Sequence, residues 1–272
     1  MKNYILLFVI CLSHTLLGQQ TPADEQEQSI LITNAVIHKG DGTLLEQGAV
    51  GFEKGIISYV GPSSEAPNYQ RTIDGNGKHL YPGFIAANST LGLSEIDAVR
   101  ATVDFDEIGD FLPHIRTAIA YDAESKIVES MRPNGVLIAQ ITPRGGLISG
   151  SSSVMQLDAW NWEDAVIKAD EGIHLNWPSP YTRGRSWIGE DPALKVSTNY
   201  ISRTEKIKTF FENAKVYDSN QDPVHLPYQA MKGLFQGSKT LYLHAKDEKQ
   251  IVDGVRYLEK IGIAKIVLVG GN

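Results

Sequence analysis

Residues 78–95 read KHLYPGFIAANSTLGLSE, and the fold turns on this stretch. Its first half has the character of a strand that starts buried, with Leu80, Phe84 and Ile85 as the apolar side chains. Pro82-Gly83 bends the entry. Proline cannot donate to a β-ladder, so Pro82 belongs at the strand's first residues. Asn88, Ser89 and Thr90 then stand at the strand's C-terminal end. Side chains alternate along a strand, so Asn88 and Thr90 share one face. In a β/α barrel that end of a strand is where chemistry is done.

Towards the N-terminus, short apolar runs are broken by glycine and charge. Residues 30–37 (ILITNAVI), 48–52, 55–60 and 71–73 read as strands, with Gly40-Asp41-Gly42 as a turn signal. Closely spaced strands of this kind make a small β-sheet module over residues 30–80. Residues 21–29 are polar and acidic and read as a linker. Residues 1–20 have the form of a secretory signal, with Lys2 as the positive end, an apolar run over 5–12 and Leu16-Leu17-Gly18 before the expected cleavage point. The run is short for a stable membrane span. A retained N-terminal anchor is the other reading. Cys11, the chain's one cysteine, lies in this segment, so the remainder has no thiol for a disulfide or a metal. Export to a periplasm is expected; disulfides are permitted there without being required.

Towards the C-terminus, a long acidic connection covers residues 94–124. It is either a lid over the site or a solvated excursion. Residues 122–131 read as a helix ended by Pro133-Asn134-Gly135, and 135–141 (GVLIAQI) as a buried strand. Residues 142–153 (TPRGGLISGSSS) read as a glycine-rich turn, with an anion-binding nest as the alternative. The stretch lacks the pattern of a nucleotide-binding loop. Arg144 within it is a candidate for a carboxylate ligand, because a guanidinium pairs bidentately. A surface ion pair is its other reading.

Strands are expected at 154–157 and 165–168, around the aromatic turn Trp160-Asn161-Trp162, and loop over 178–199. His174 lies in the run GIHLNWP (172–178). It either faces the site or is a satisfied structural histidine. Helices are expected over 203–213 and up to about Phe235, the second with Pro227 in its first turn. Then TLYLHA (240–245), an amphipathic helix over 247–261 closed by Gly262, and AKIVLV (264–269) form a right-handed βαβ unit of a parallel sheet. His244 falls at the C-terminal end of its first strand.

The net charge of −7 and the lack of a Lys/Arg cluster argue against a nucleic-acid surface. A small-molecule substrate or ligand is the expected partner, with oligomerisation left open.

The stretch at 82–85 (PGFI), the Asp74–Gly83 junction and the run at 172–178 resemble the amidohydrolase superfamily, in particular its imidazolonepropionase-like branch. The resemblance implies an α/β fold: an incomplete TIM-like (β/α) metal-dependent hydrolase barrel over 81–272, preceded by a small β-sandwich module. It implies a divalent, zinc-like metal that activates water for hydrolysis of non-peptide C–N bonds such as cyclic amides. In that family the first barrel strand carries two metal-binding histidines, one residue apart. Here Asn88 and Thr90 stand in their places and Ala86 stands for an aspartate. The resemblance assigns His244 as a metal ligand and Arg144 and His174 as substrate-binding candidates, with no catalytic residue assigned.

An amide and a hydroxyl hold such a metal poorly. A catalytically degenerate binding or partner protein is therefore the alternative. An eight-stranded barrel takes about 250 residues. About 190 remain after the leader and the β-module, so a C-terminally truncated barrel with open sheet edges is expected.

Overall fold

The computed structural model describes residues 22–218, 220 and 222–271, in two units, 22–84 and 85–271. The expected leader and its cysteine lie outside the described residues. Among those described, no helix is long and apolar enough to cross a membrane.

The first unit is a five-stranded sheet. It contains β1 (Ile30–His38), β2 (Leu44–Glu53), β3 (Ile56–Pro62), β4 (Arg71–Asp74) and β5 (His79–Leu80). β1 runs antiparallel to β2 and parallel to β4 and β5. Its alternate residues Leu31, Ala35 and Ile37 are buried, as a half-covered strand requires. The β2–β3 hairpin turns at Lys54-Gly55, both at positive φ (50° and 73°), which suits the right-handed twist of the flanking strands. Each strand expected over 30–73 is present.

The 78–95 stretch serves both units. His79–Leu80 pairs with β1, and β6 (Phe84–Ser89) opens the second unit. Tyr81, Pro82 and Gly83 lie in neither strand. The buried start expected for this strand is therefore corrected: Phe84 and Ile85 are 64% and 65% exposed. The physical reason is position, because β6 is an edge of its sheet and has a neighbour on one side only.

The second unit continues with α1 (Thr117–Ala120), α2 (Lys126–Met131), β7 (Val136–Ile141), β8 (Ile148–Gln156), α3 (Trp162–Ala165) and β9 (Val166–Asn176). It ends with β10 (Tyr181–Arg183), β11 (Leu194–Val196), α4 (Tyr200–Val216), α5 (Leu226–Phe235), β12 (Thr240–Ala245), α6 (Glu248–Ile261) and β13 (Ile266–Gly270). Six strands form one open sheet in the order β13-β12-β9-β8-β7-β6.

Three expectations change here. The turn expected over 142–153 is a loop only to Leu147, because Ile148–Gln156 is a strand at the centre of the sheet. Its serines mimic a loop in composition, yet Ser149, Ser151, Ser152 and Ser153 are all buried. They are tolerated because hydroxyls find acceptors: Ser151 Oγ donates to the Pro113 carbonyl at 3.0 Å. Secondly, β8 is antiparallel to both β7 and β9, so the sheet is mixed; β9, β12 and β13 are parallel to one another. Thirdly, the 178–199 loop contains the antiparallel hairpin β10–β11.

The acidic connection is neither a free lid nor wholly solvated. Isolated bridges tie Asp106 to Arg144, Phe111 to Ile148 and Arg116 to Ser151. Thr117 Oγ1 donates to the Ile141 carbonyl at 2.9 Å.

Alternation along β9 and β12 separates core from site. Ile173, Leu175, Leu241 and Leu243 are fully buried on one face, against Ile207 and Phe211 of α4, Met231 of α5 and Leu258 of α6. Each such side chain contributes roughly 1.5–3 kcal/mol. Gly172, His174 and Asn176 of β9 sit in register with Thr240, Tyr242 and His244 of β12, on the opposite face. α6 is fixed at both ends. Asp247 and Gln250 form a capping box, and Gly262 closes the helix at φ 98°.

Candidate functional site

The parallel register of β9 and β12 places His174 beside Tyr242 and Asn176 beside His244. His174 Nδ1 and His244 Nε2 are 2.8 Å apart, so one imidazole donates to the other. The His174 ring also stacks on Tyr242, with centroids 4.6 Å apart and planes 4° from parallel. His174 is 0% exposed, and its Nε2 has no hydrogen-bond partner. A lone pair without a partner costs less than an N–H without one. We therefore assign the His174 proton to Nδ1, donating to His244 Nε2. Burial, and then the charge of Arg144, push the His244 pKa down to about 4. Burial lowers His174 further still. Both rings are neutral at pH 7.

Arg144 reaches the end of β6. Its Nη1 donates to Asn88 Oδ1 at 2.9 Å and its Nη2 to the Asn88 carbonyl at 2.7 Å. Asn88 is bent to receive both, in a left-handed conformation at φ 51°. Such a conformation is sparsely populated outside glycine, although asparagine tolerates it best. Its own N–H donates to Gln140 Oε1 at 3.0 Å. The loop carrying Arg144 is pinned on both sides: Arg144 N–H donates to the Phe105 carbonyl at 2.6 Å, and Asn176 Nδ2 to the Gly145 carbonyl at 3.0 Å. The surface ion pair that was one reading of Arg144 is not formed, since no ion pair among the described residues includes it.

Beneath this lies a buried carboxylate. Glu171 is 6% exposed. It accepts from Gln140 Nε2 at 2.6 Å, Ser152 Oγ at 2.9 Å and Tyr242 Oη at 3.2 Å. Burial, and then Glu171, raise the Tyr242 pKa to about 12, so the phenol stays protonated and keeps donating. Arg144, Asn88, Gln140 and Glu171 thus form one hydrogen-bonded line from a cation to an anion.

Of the residues singled out in the sequence, the structure joins Arg144 to Asn88 and His174 to His244, and the Arg144 charge is felt at both histidines. Thr90 is not part of the cluster: it heads a turn, with its carbonyl accepting from Leu93 N–H at 2.9 Å. Sequence reasoning missed Gln140, Ser152, Glu171 and Tyr242. Tyr242 carried a signal, since it lies two residues before His244 and so shares its face.

The donor set does not fit the divalent metal that the resemblance implies. Among the described residues, no three His, Cys, Asp or Glu side chains converge. His244 Nε2 is engaged by His174, and both Asn88 oxygens are engaged by Arg144. A guanidinium beside the position further opposes a cation. His244 stands at the C-terminal end of its strand, and there its Nε2 is held by His174 Nδ1 at 2.8 Å.

No known family's sequence profile matches the chain. It is similar to a 5-methylthioadenosine/S-adenosylhomocysteine deaminase from Thermoanaerobacter pseudethanolicus, at 24% identity over 265 residues. That match covers 90% of this chain and 57% of the deaminase. Among solved structures it resembles an amidohydrolase from Thermotoga maritima, with a TM-score of 0.72 and 20% identity. That match covers 88% of this chain and 63% of the other. The chain therefore spans less than two thirds of either relative. The open mixed sheet has the fold of the corresponding part of that Thermotoga maritima structure.

Proposed function

We propose that the chain is a member of the amidohydrolase superfamily and acts in hydrolysis of a C–N bond of a small molecule. The observation that carries this reading is the likeness to a deaminase along 90% of the chain. We infer a cyclic amide as the substrate class, on the resemblance of residues 82–85 and 172–178 to the imidazolonepropionase-like branch. Such a substrate would lie at the C-terminal ends of β6, β7, β9 and β12. There Arg144 would bind and orient it, and His174 would position His244 through their hydrogen bond. The five-stranded sheet of residues 30–80 we take as one layer of the family's β-sandwich. The form of residues 1–20 supports export to a periplasm.

A metal-bound hydroxide is the family's usual nucleophile, and the donors here do not fit it. The second reading is a binding or partner protein that keeps the strand-end site, with Arg144 held on Asn88, without catalysis. One experiment separates the two. The purified full chain is incubated with hydantoin and dihydrouracil, and ring opening is followed by loss of ultraviolet absorbance. The hydrolase reading expects turnover that falls at least about tenfold in Arg144→Gln, the size of effect expected when a substrate-positioning contact is lost. Absence of turnover from the folded chain would sink it in favour of the second reading.

A further inference from the structure

We propose that the strand-end site is a receptor for a small carboxylate, with the Arg144 guanidinium serving as a built-in cation where the family would place a metal. The inference rests on the geometry around Arg144 and needs no hydrolysis.

Arginine has five N–H groups in a planar fork. Arg144 spends Nη1 on Asn88 Oδ1 and the Pro143 carbonyl, and one Nη2 hydrogen on the Asn88 carbonyl. Its Nε–H and second Nη2–H make no bond to any described residue. These two lie on one edge of the guanidinium and are spaced for the two oxygens of a carboxylate.

The charge is also unbalanced locally. Arg144 is half-buried, and burial alone lowers its pKa, with no carboxylate acting on it. A desolvated charge is costly unless paired. Glu171 does not serve: it is reached only through Asn88 and Gln140, and three donors already satisfy it. The two imidazoles nearby bring no charge of their own. Asn88 supplies the remaining sign of a built site. In its left-handed conformation at φ 51° both of its oxygens are aimed at Arg144, which fixes the orientation of the guanidinium.

The test uses the full chain labelled with nitrogen-15, with sodium acetate and zinc chloride as probes. Acetate should shift the Arg144 Nε–H resonance saturably. Arg144→Lys keeps the charge without the fork, and should weaken the response at least about tenfold. One equivalent of zinc should leave the His174 and His244 ring resonances in place. The proposal is overturned if acetate gives no saturable shift in the unmodified chain or if Arg144→Lys binds acetate equally. It is also overturned if one equivalent of zinc moves both imidazoles. Acetate binding without turnover on cyclic amides would sink the hydrolase reading alone, and turnover without acetate binding would sink this one alone.

Discussion

Gly172 lies directly against the Tyr242 ring: a Cβ placed on Gly172 would stand 2.3 Å from Tyr242 Cε2 and 3.0 Å from the Thr240 carbonyl. A side chain there must push the ring off Glu171. Gly172→Ala is expected to cost about 1–3 kcal/mol, as overpacking a close contact does. Urea denaturation checks it through a lower midpoint at unchanged slope. An unchanged midpoint would mean that the ring has room to retreat.

Glu171 offers a second test. A glutamine in its place must turn its NH2 towards at least one of the three donors. Glu171→Gln is therefore expected to lose about 1–3 kcal/mol, the cost of leaving a buried polar group unsatisfied. Tyr242→Phe removes one donor and leaves the carboxylate with two, so it should lose less, about 1 kcal/mol. Thermal melts of the two variants should keep that order.

Asn88→Asp should act in the opposite direction. Aspartate tolerates the left-handed backbone at this position nearly as well as asparagine. Its carboxylate would turn the Arg144 contact into a charge-assisted pair. Stability should rise by about 1 kcal/mol, since a hydrogen bond to a charged group outweighs a neutral one by that order. The same change neutralises the guanidinium, so the acetate response should weaken. A melt that does not rise would count against Arg144 being short of a counter-charge.

The neutral histidines set a pH dependence. The folded pKa of His244 lies at about 4, below the ordinary value of 6.5. Above pH 6.5 neither folded nor unfolded chain protonates it, and its contribution is fully present. Between 6.5 and 4 the unfolded chain takes a proton that the folded chain refuses, so stability falls as pH drops. His174 is shifted in the same direction, as is His114, chiefly by burial. Urea midpoints measured from pH 7 to pH 4.5 should decline steadily. His244→Gln should flatten the decline.

Much of this was legible in the sequence. Four of the five short strands of the first unit, helices α4 to α6 and the β12–α6–β13 unit follow from periodicity, Pro227 and Gly262. The central strand β8 was not legible: Ser149, Gly150, Ser151, Ser152 and Ser153 have the composition of a turn, and only pairing with β9 on one side, with β7 at Ser153 and an isolated bridge from Arg116 to Ser151, makes them a strand. The exposure of Phe84 and Ile85 was hidden for a related reason. Local sequence reports that residues are apolar, while sheet order decides whether anything covers them. Asn88 and Arg144 were each visible as site candidates. Their pairing across 56 residues was not, since no local pattern encodes it.

The antiparallel β8 has a kinetic corollary. β7, β8 and β9 are consecutive along the chain and adjacent in the sheet, so their ladders close through short loops, whereas the His174–His244 contact must bridge 70 residues. Loop-closure entropy favours the short pairings in time as well as in free energy. Pulse-labelled hydrogen exchange during refolding should protect Ile141 and Val154 before Tyr242, so that the meander assembles as a template and the two imidazoles meet only in the last stage of folding.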